Sequence, residues 1–272
     1  MARRKRRRGR ESISVATWVL AAAGVLALSA IIILGIRLKM SEVAIDQNTG
    51  CPLSGSKSVT AVLIDLTDKL SPVQTAALRN TLQKIRDRTP RYGRLEIYPL
   101  VPTVRSTITP IFAGCNPGSG RDVTNEVTGN RALSDRIWSA DFGSKVDAVI
   151  SQLALVEPQD GSPILEGMQS VAVTAFASPS AAAAETRKLV LISDMLQHTD
   201  RFSLYQGAPA FNGVRDQPYF RETRANLRGA TVDVYLIVRE TRHDAQQPPL
   251  YKFWVDLVSY SDGFLQGWEP LQ

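Results

Sequence analysis

Three rhythms of apolar and polar residues run through the chain. The longest comes first: Ser12 to Ile36 holds 25 residues without a charge, with WVLAAAGVLALSAIIILGI at its heart. As a helix it extends roughly 37 Å at about 1.5 Å per residue, enough to cross a hydrocarbon core of about 30 Å with some tilt. A cleaved signal peptide would have a shorter apolar core followed by a small-residue cleavage site. The best candidate for such a site, Ala27-Leu28-Ser29, lies inside the run with IIILGI still to come. The pattern predicts an uncleaved transmembrane helix over 12–36.

The second rhythm is a set of short runs rich in β-branched residues, the mark of strands buried on both faces. Thr60 to Ile64 is one, and it stops on Asp65. Lys188 to Asp194, KLVLISD, repeats the design and stops on a second carboxylate. Val232 to Val238, VDVYLIV, is a third run. Leu95 to Leu100 and Val104 to Phe112 read as two more strands, with Pro99 and Pro102 marking edges or bends.

The third rhythm is helical. Ser71 is an N-cap with Pro72 at the first helical position, and Val73, Ala77, Leu78, Leu82 and Ile85 share a face before Pro90 ends the pattern. A helix from Ser139 or Asp141 to Leu155 carries Phe142, Val146, Val149, Ile150 and Leu153. Pro163 opens another, with Leu165, Met168, Val171 and Phe176 at helical spacing. Tyr219 to Arg228 reads as a polar helix and Leu250 to Tyr260 as an amphipathic one. Strands alternating with helices predict an α/β fold. The expected organisation is a basic tail over 1–11, the transmembrane helix over 12–36, a linker over 37–57 and one domain over 58–272.

Charge changes this picture in one respect. The net charge is +6, but residues 1–10, MARRKRRRGR, hold seven of the 32 basic residues and no acid. The remainder carries 25 basic against 26 acidic residues. A nucleic-acid binder would carry its basic excess on the folded domain, so nucleic acid is not an expected partner. A basic cluster before the span places the N-terminus in the cytoplasm and the domain outside it, in the periplasm or its equivalent, at the cell (inner) membrane. Such a compartment favours a disulfide, and Cys51 and Cys115, the two cysteines, admit a single intramolecular pairing.

Candidate chemistry gathers where strands end. In an open parallel sheet, ligands bind outside the carboxyl ends of the strands, where the winding reverses. Two strands that each end in Asp therefore propose a polar site. The Gly- and Asn-rich stretch Ala113 to Asn130 does not make a phosphate loop: four residues intervene after Gly114 and the next is Ser119, while Gly120 is followed by Arg121-Asp122. No nucleotide is expected.

Around the Asp-ended strands the chain resembles a von Willebrand factor A-type domain over about Ser58 to Ser261. Asp65, Thr67 and Lys69 stand where that family has Asp-x-Ser-x-Ser, Ser162 before Pro163 stands for its hydroxyl in the second loop, and Ser193-Asp194-Met195 for its third-loop aspartate. The resemblance implies a doubly wound, mostly parallel sheet with helices on both faces. It also implies a metal-ion-dependent adhesion site of Asp65, Thr67, Ser162 and Asp194. Two hydroxyls and two carboxylates suit Mg²⁺, which keeps several waters. Lys69 departs from the pattern, because its ammonium repels a cation and can neutralise the carboxylates instead. Mg²⁺ and a metal-free site are both open at this point.

Enzyme motifs are thin. Asp65-Leu66-Thr67-Asp68 resembles the start of a phosphohydrolase with an Asp nucleophile, but that family wants a carboxylate at position 67. Neither Gly-x-Ser-x-Gly nor His-Glu-x-x-His occurs. His198 and His243 read as loop histidines, since no ligand cluster accompanies them. The expectation is a membrane-anchored, non-enzymatic domain that binds a protein partner, such as a co-encoded membrane or envelope protein. The alternative is a membrane-anchored metal-dependent phosphohydrolase using Asp65 and Asp194.

Overall fold

The computed structural model describes residues 15–40, 43–67, 69–100, 107–124, 129–153 and 161–271. The basic tail expected over 1–11 lies outside them. The chain divides into two compact units, Met1–Ala44 and Ile45–Gln272.

Among its described residues the first unit holds one helix, α1 (Val15–Met40). Its Trp18–Ile36 stretch is long and apolar enough to cross a membrane by length and composition. Side chains such as Leu20 and Leu26 are largely exposed, so within the structure no protein core accounts for the helix's hydrophobicity.

The second unit is mixed α/β. In chain order it comprises β1 (Ser58–Ile64), α2 (Pro72–Arg88), β2 (Arg94–Pro99), β3 (Phe112–Cys115), α3 (Arg131–Trp138), α4 (Ser144–Leu153), α5 (Ile164–Val171), β4 (Thr186–Ser193), α6 (Pro218–Glu222), β5 (Ala230–Leu236), α7 (Pro248–Tyr260) and β6 (Gly263–Pro270). The strands form one sheet in the order β3-β2-β1-β4-β5-β6. All neighbours are parallel except β2 and β3.

The alternation of a strand splits β1 between two apolar cores. Val59, Ala61 and Leu63 join residues of α5 and α7, among them Leu165, Phe253 and Trp254. Val62 and Ile64 join residues of α2 and α4, among them Leu78, Leu82 and Ile150. Helix α5 comes down hard on β1 at Gly167, where a Cβ would stand 2.6 Å from Leu100 Cδ1 and 3.0 Å from Leu63 Cδ2. Helix α2 starts as its sequence dictates: Ser71 Oγ accepts from Gln74 N–H, and Gln74 Oε1 accepts from Ser71 N–H.

Several elements differ from their sequence pattern. Residues 104–106 of the strand expected over 104–112 lie outside the described residues, and 107–111 are irregular; β3 occupies Phe112–Cys115 instead. Helix begins at Arg131, eight residues before Ser139, because Asn130 accepts from Leu133 N–H and caps it. A π-helical stretch, Ser139–Gly143, joins α3 to α4. The expected helix over 219–228 is the short α6, closed by Thr223. Strand β6 had no counterpart in the reading of the sequence.

Residues 45–57 belong to the second unit. Asp46 Oδ1 accepts from the backbone of Asn48 and Thr49 and from the Thr49 hydroxyl. These bonds hold its carboxyl below the usual range. Thr49 O accepts from Cys115 N–H. Cys51 and Cys115 are joined, with Cα atoms 4.8 Å apart, which closes a loop across 64 residues.

Candidate functional site

The strand order places β1 beside β4, and the connections lead outward from these two strands in opposite directions. Asp65 follows β1 and Asp194 follows β4, so both carboxylates stand at the carboxyl edge of the sheet, at the ends of adjacent parallel strands. The register reaches this edge without slipping: Ile64 faces Ile192, and Asp65 N–H donates to Ile192 O at 2.9 Å.

Asp65 is 2% exposed, and four hydrogen bonds converge on it. Oδ1 accepts from Thr67 N–H at 3.1 Å and from the Thr67 hydroxyl at 2.7 Å. Oδ2 accepts from Ser162 Oγ at 2.6 Å and Ser193 Oγ at 2.9 Å. Those donors occupy the roughly four lone-pair directions of a carboxylate. Ser193 Oγ in turn accepts from Met195 N–H at 2.8 Å, where the chain turns with φ +61° at Met195.

Asp194 is 3% exposed and is served differently. Its Oδ1 accepts from Leu196 N–H at 2.9 Å, and its Oδ2 lies 3.4 Å from Arg239 Nε. Arg239 follows β5 and reaches across the strand ends, donating from Nη1 to Lys69 O at 3.3 Å. Gln246 fixes that arginine's segment. It accepts from Arg239 N–H through Oε1, and its Nε2 donates to the carbonyls of Asp194 and Ile237. Lys69 offers the cluster its carbonyl, while its side chain is exposed. The positive charge next to Asp194 therefore comes from the end of a third strand.

A second polar layer positions Ser162. Its backbone exchanges hydrogen bonds with His198 at 2.8 and 2.9 Å. Gln197, fully buried, accepts from Leu165 N–H and donates to Tyr219 Oη at 2.7 Å and Glu166 Oε2 at 3.2 Å. Burial, with the Glu166 carboxylate beside it, pushes the Tyr219 hydroxyl well above the usual tyrosine range. His198 stacks on Tyr205 at 4.2 Å, and Arg242 lies over that same ring at 4.1 Å.

The structure thus unites Asp65, Thr67 and Ser162 directly and brings Asp194 to the same edge. The donor set does not fit a divalent ion. A lysine replaces the third hydroxyl, Asp65 is saturated by hydrogen bonds, and a guanidinium faces Asp194. Among the described residues no cluster of three or more His, Cys, Asp or Glu side chains is placed to hold a metal. The sequence reading missed the parts played by Ser193, Arg239 and Gln246. Ser193 was legible as the hydroxyl just before the strand-end aspartate. Arg239 and Gln246 carry no local signal, because only the sheet order places the end of β5 next to that of β4.

No family model matches the chain, and no curated protein matches it. Among solved structures, it is similar to the crystal structure of the human COPII-coat protein Sec24c, with 12% sequence identity and a TM-score of 0.37. That similarity spans 80% of this chain and 30% of Sec24c.

Proposed function

We propose that the chain is a single-pass membrane protein whose second unit, a doubly wound, von Willebrand A-like domain, holds a protein partner outside the cytoplasm. Helix α1 is the anchor in this reading, and the basic tail before it keeps the N-terminus inside. The observation that carries the proposal is the strand-end cluster itself. It occupies the position at which such sheets engage ligands, yet its carboxylates are satisfied internally by Thr67, Ser162, Ser193 and Arg239. A carboxylate with four donors is a poor nucleophile, which favours binding over the phosphohydrolase alternative. The cluster then serves as a rigid platform that shapes the surrounding loops, with Arg239 doing for charge what a cation would do in a complete adhesion site.

The test is chemical cross-linking of the full chain in native membranes, followed by purification and identification of what is attached. One membrane or envelope protein should be recovered at similar yield with and without EDTA. The yield should fall at least tenfold in Asp194→Ala, which leaves Arg239 without its carboxylate. Capture abolished by EDTA and restored by Mg²⁺ would overturn the metal-free platform, and unchanged capture in Asp194→Ala would remove the site from partner binding.

A further inference from the structure

The other end of the sheet holds a cavity that the strand-end cluster does not touch. Strands β1, β4 and β5 are parallel, so their first residues lie together along one edge. There, against the last turn of α2, they enclose a cavity of about 470 Å³. Pockets for small molecules fall in the range of roughly 300–1,000 Å³. Ile85, Val190 and Tyr235 give it an apolar wall.

Its charge is one-sided. Arg88, Arg187, Lys188 and Arg228 line it against Glu185 and Asp233. Lys188 is committed to Asp233 at 2.9 Å, and Arg187 Nη2 donates to Ala181 O at 3.0 Å. Arg88 and Arg228 enter no ion pair among the described residues. Arg228, finally, sits at φ +54° beside Gly229 at φ +73°, a left-handed turn that glycine or asparagine adopts more easily.

We infer that this cavity binds a phosphate monoester bearing a small apolar group. Guanidinium groups match phosphate oxygens in paired hydrogen bonds, and a monoester brings up to two negative charges to a wall with surplus cations. The apolar group rests against Ile85, Val190 and Tyr235. The same chemistry comes from a dissolved phosphate ester or from the headgroup of a phosphatidic-acid-type lipid.

The experiment is calorimetric titration of the full chain, in uncharged detergent micelles, with phenyl phosphate. Saturable one-site binding is expected, weaker for inorganic phosphate and absent for benzyl alcohol. Arg88→Ala and Arg228→Ala should each weaken it about tenfold, the worth of a charge-assisted contact. Neither arginine has an ion pair to lose among the described residues, so unchanged thermal midpoints verify that both variants stay folded. Displacement of phenyl phosphate by dihexanoyl phosphatidic acid supports the site and assigns its ligand to lipid; retention supports the site and assigns a soluble ester. Absence of saturable binding, wild-type affinity in both arginine variants, or competition by benzyl alcohol would overturn the inference.

Discussion

Arg239→Ala tests the strand-end cluster most directly. The side chains of the Arg239–Asp194 pair are 10% and 4% exposed, so solvent and salt screen it little. Removing one partner of a buried pair destabilises by about 3–5 kcal/mol, because the other charge is left without compensation. Two details pull the figure down here. The separation of 3.4 Å exceeds that of a tight charge-assisted bond, and Asp194 keeps its bond from Leu196 N–H. A loss of about 2–3 kcal/mol is expected, which is roughly 30- to 150-fold in the unfolding constant. Urea unfolding of the detergent-solubilised chain, followed by tryptophan fluorescence, reads this locally, since the buried Trp254 donates to Met195 O beside Asp194. Mg²⁺ provides the second arm. With Arg239 gone, two carboxylates lack a cation, and an ion at a hundred times its Kd would return about 2.7 kcal/mol. The wild type should gain less than about 0.5 kcal/mol from the same Mg²⁺. An Arg239→Ala protein within about 0.5 kcal/mol of wild type, or a wild type stabilised by Mg²⁺ and destabilised by EDTA, would refute the reasoning.

Two further outcomes follow from other parts of the fold. Breaking the Cys51–Cys115 link by a paired change to serine frees a loop across 64 residues and should cost on the order of 4 kcal/mol in the chain-entropy model, measured by urea unfolding. Burial, then the adjacent Glu96 carboxylate, raises the Tyr98 hydroxyl above its ordinary value of 10.0. Its contribution is therefore complete below pH 10 and is lost as the pH rises beyond it, so stability should fall on the alkaline side, and Tyr98→Phe should flatten that limb of the thermal-midpoint curve.

What the sequence reveals and what it hides have separate causes. The runs ending at Asp65 and Asp194 are legible because central parallel strands are apolar throughout and a carboxylate cannot continue them. Ser71 and Pro72 announce α2 because capping is a local event. Strand β6 was missed for the converse reason. It lies at the sheet edge, and GFLQGWEP mixes two glycines and a proline with residues that are mostly half-exposed or exposed, so no buried run marks it. Helix α3 hides similarly: Leu133 and Ile137 are largely exposed and no residue of the helix is buried, leaving only its Asn130 cap as a signal. Within the candidate site, Asp65 and Asp194 were named from strand ends, and Thr67 and Ser162 from the resemblance of the loops to those of a von Willebrand A-type domain. Arg239 stands 45 residues from Asp194 along the chain, and nothing short of the sheet order pairs them.

The covalent link between Cys51 and Cys115 also has a mechanical meaning. Any tension drawn along the backbone from α1 into the second unit reaches Cys51 before it reaches β1. There the load divides. One branch runs through residues 52–57 to Ser58, at the start of a strand gripped on both sides by β2 and β4. The other crosses the sulfur bridge to Cys115, the last residue of β3, an edge strand held in the sheet by its antiparallel ladder to β2. A tug on the tether is thus spread over both ends of a three-strand span, and reduction would concentrate it on the single thread that enters the middle of the sheet.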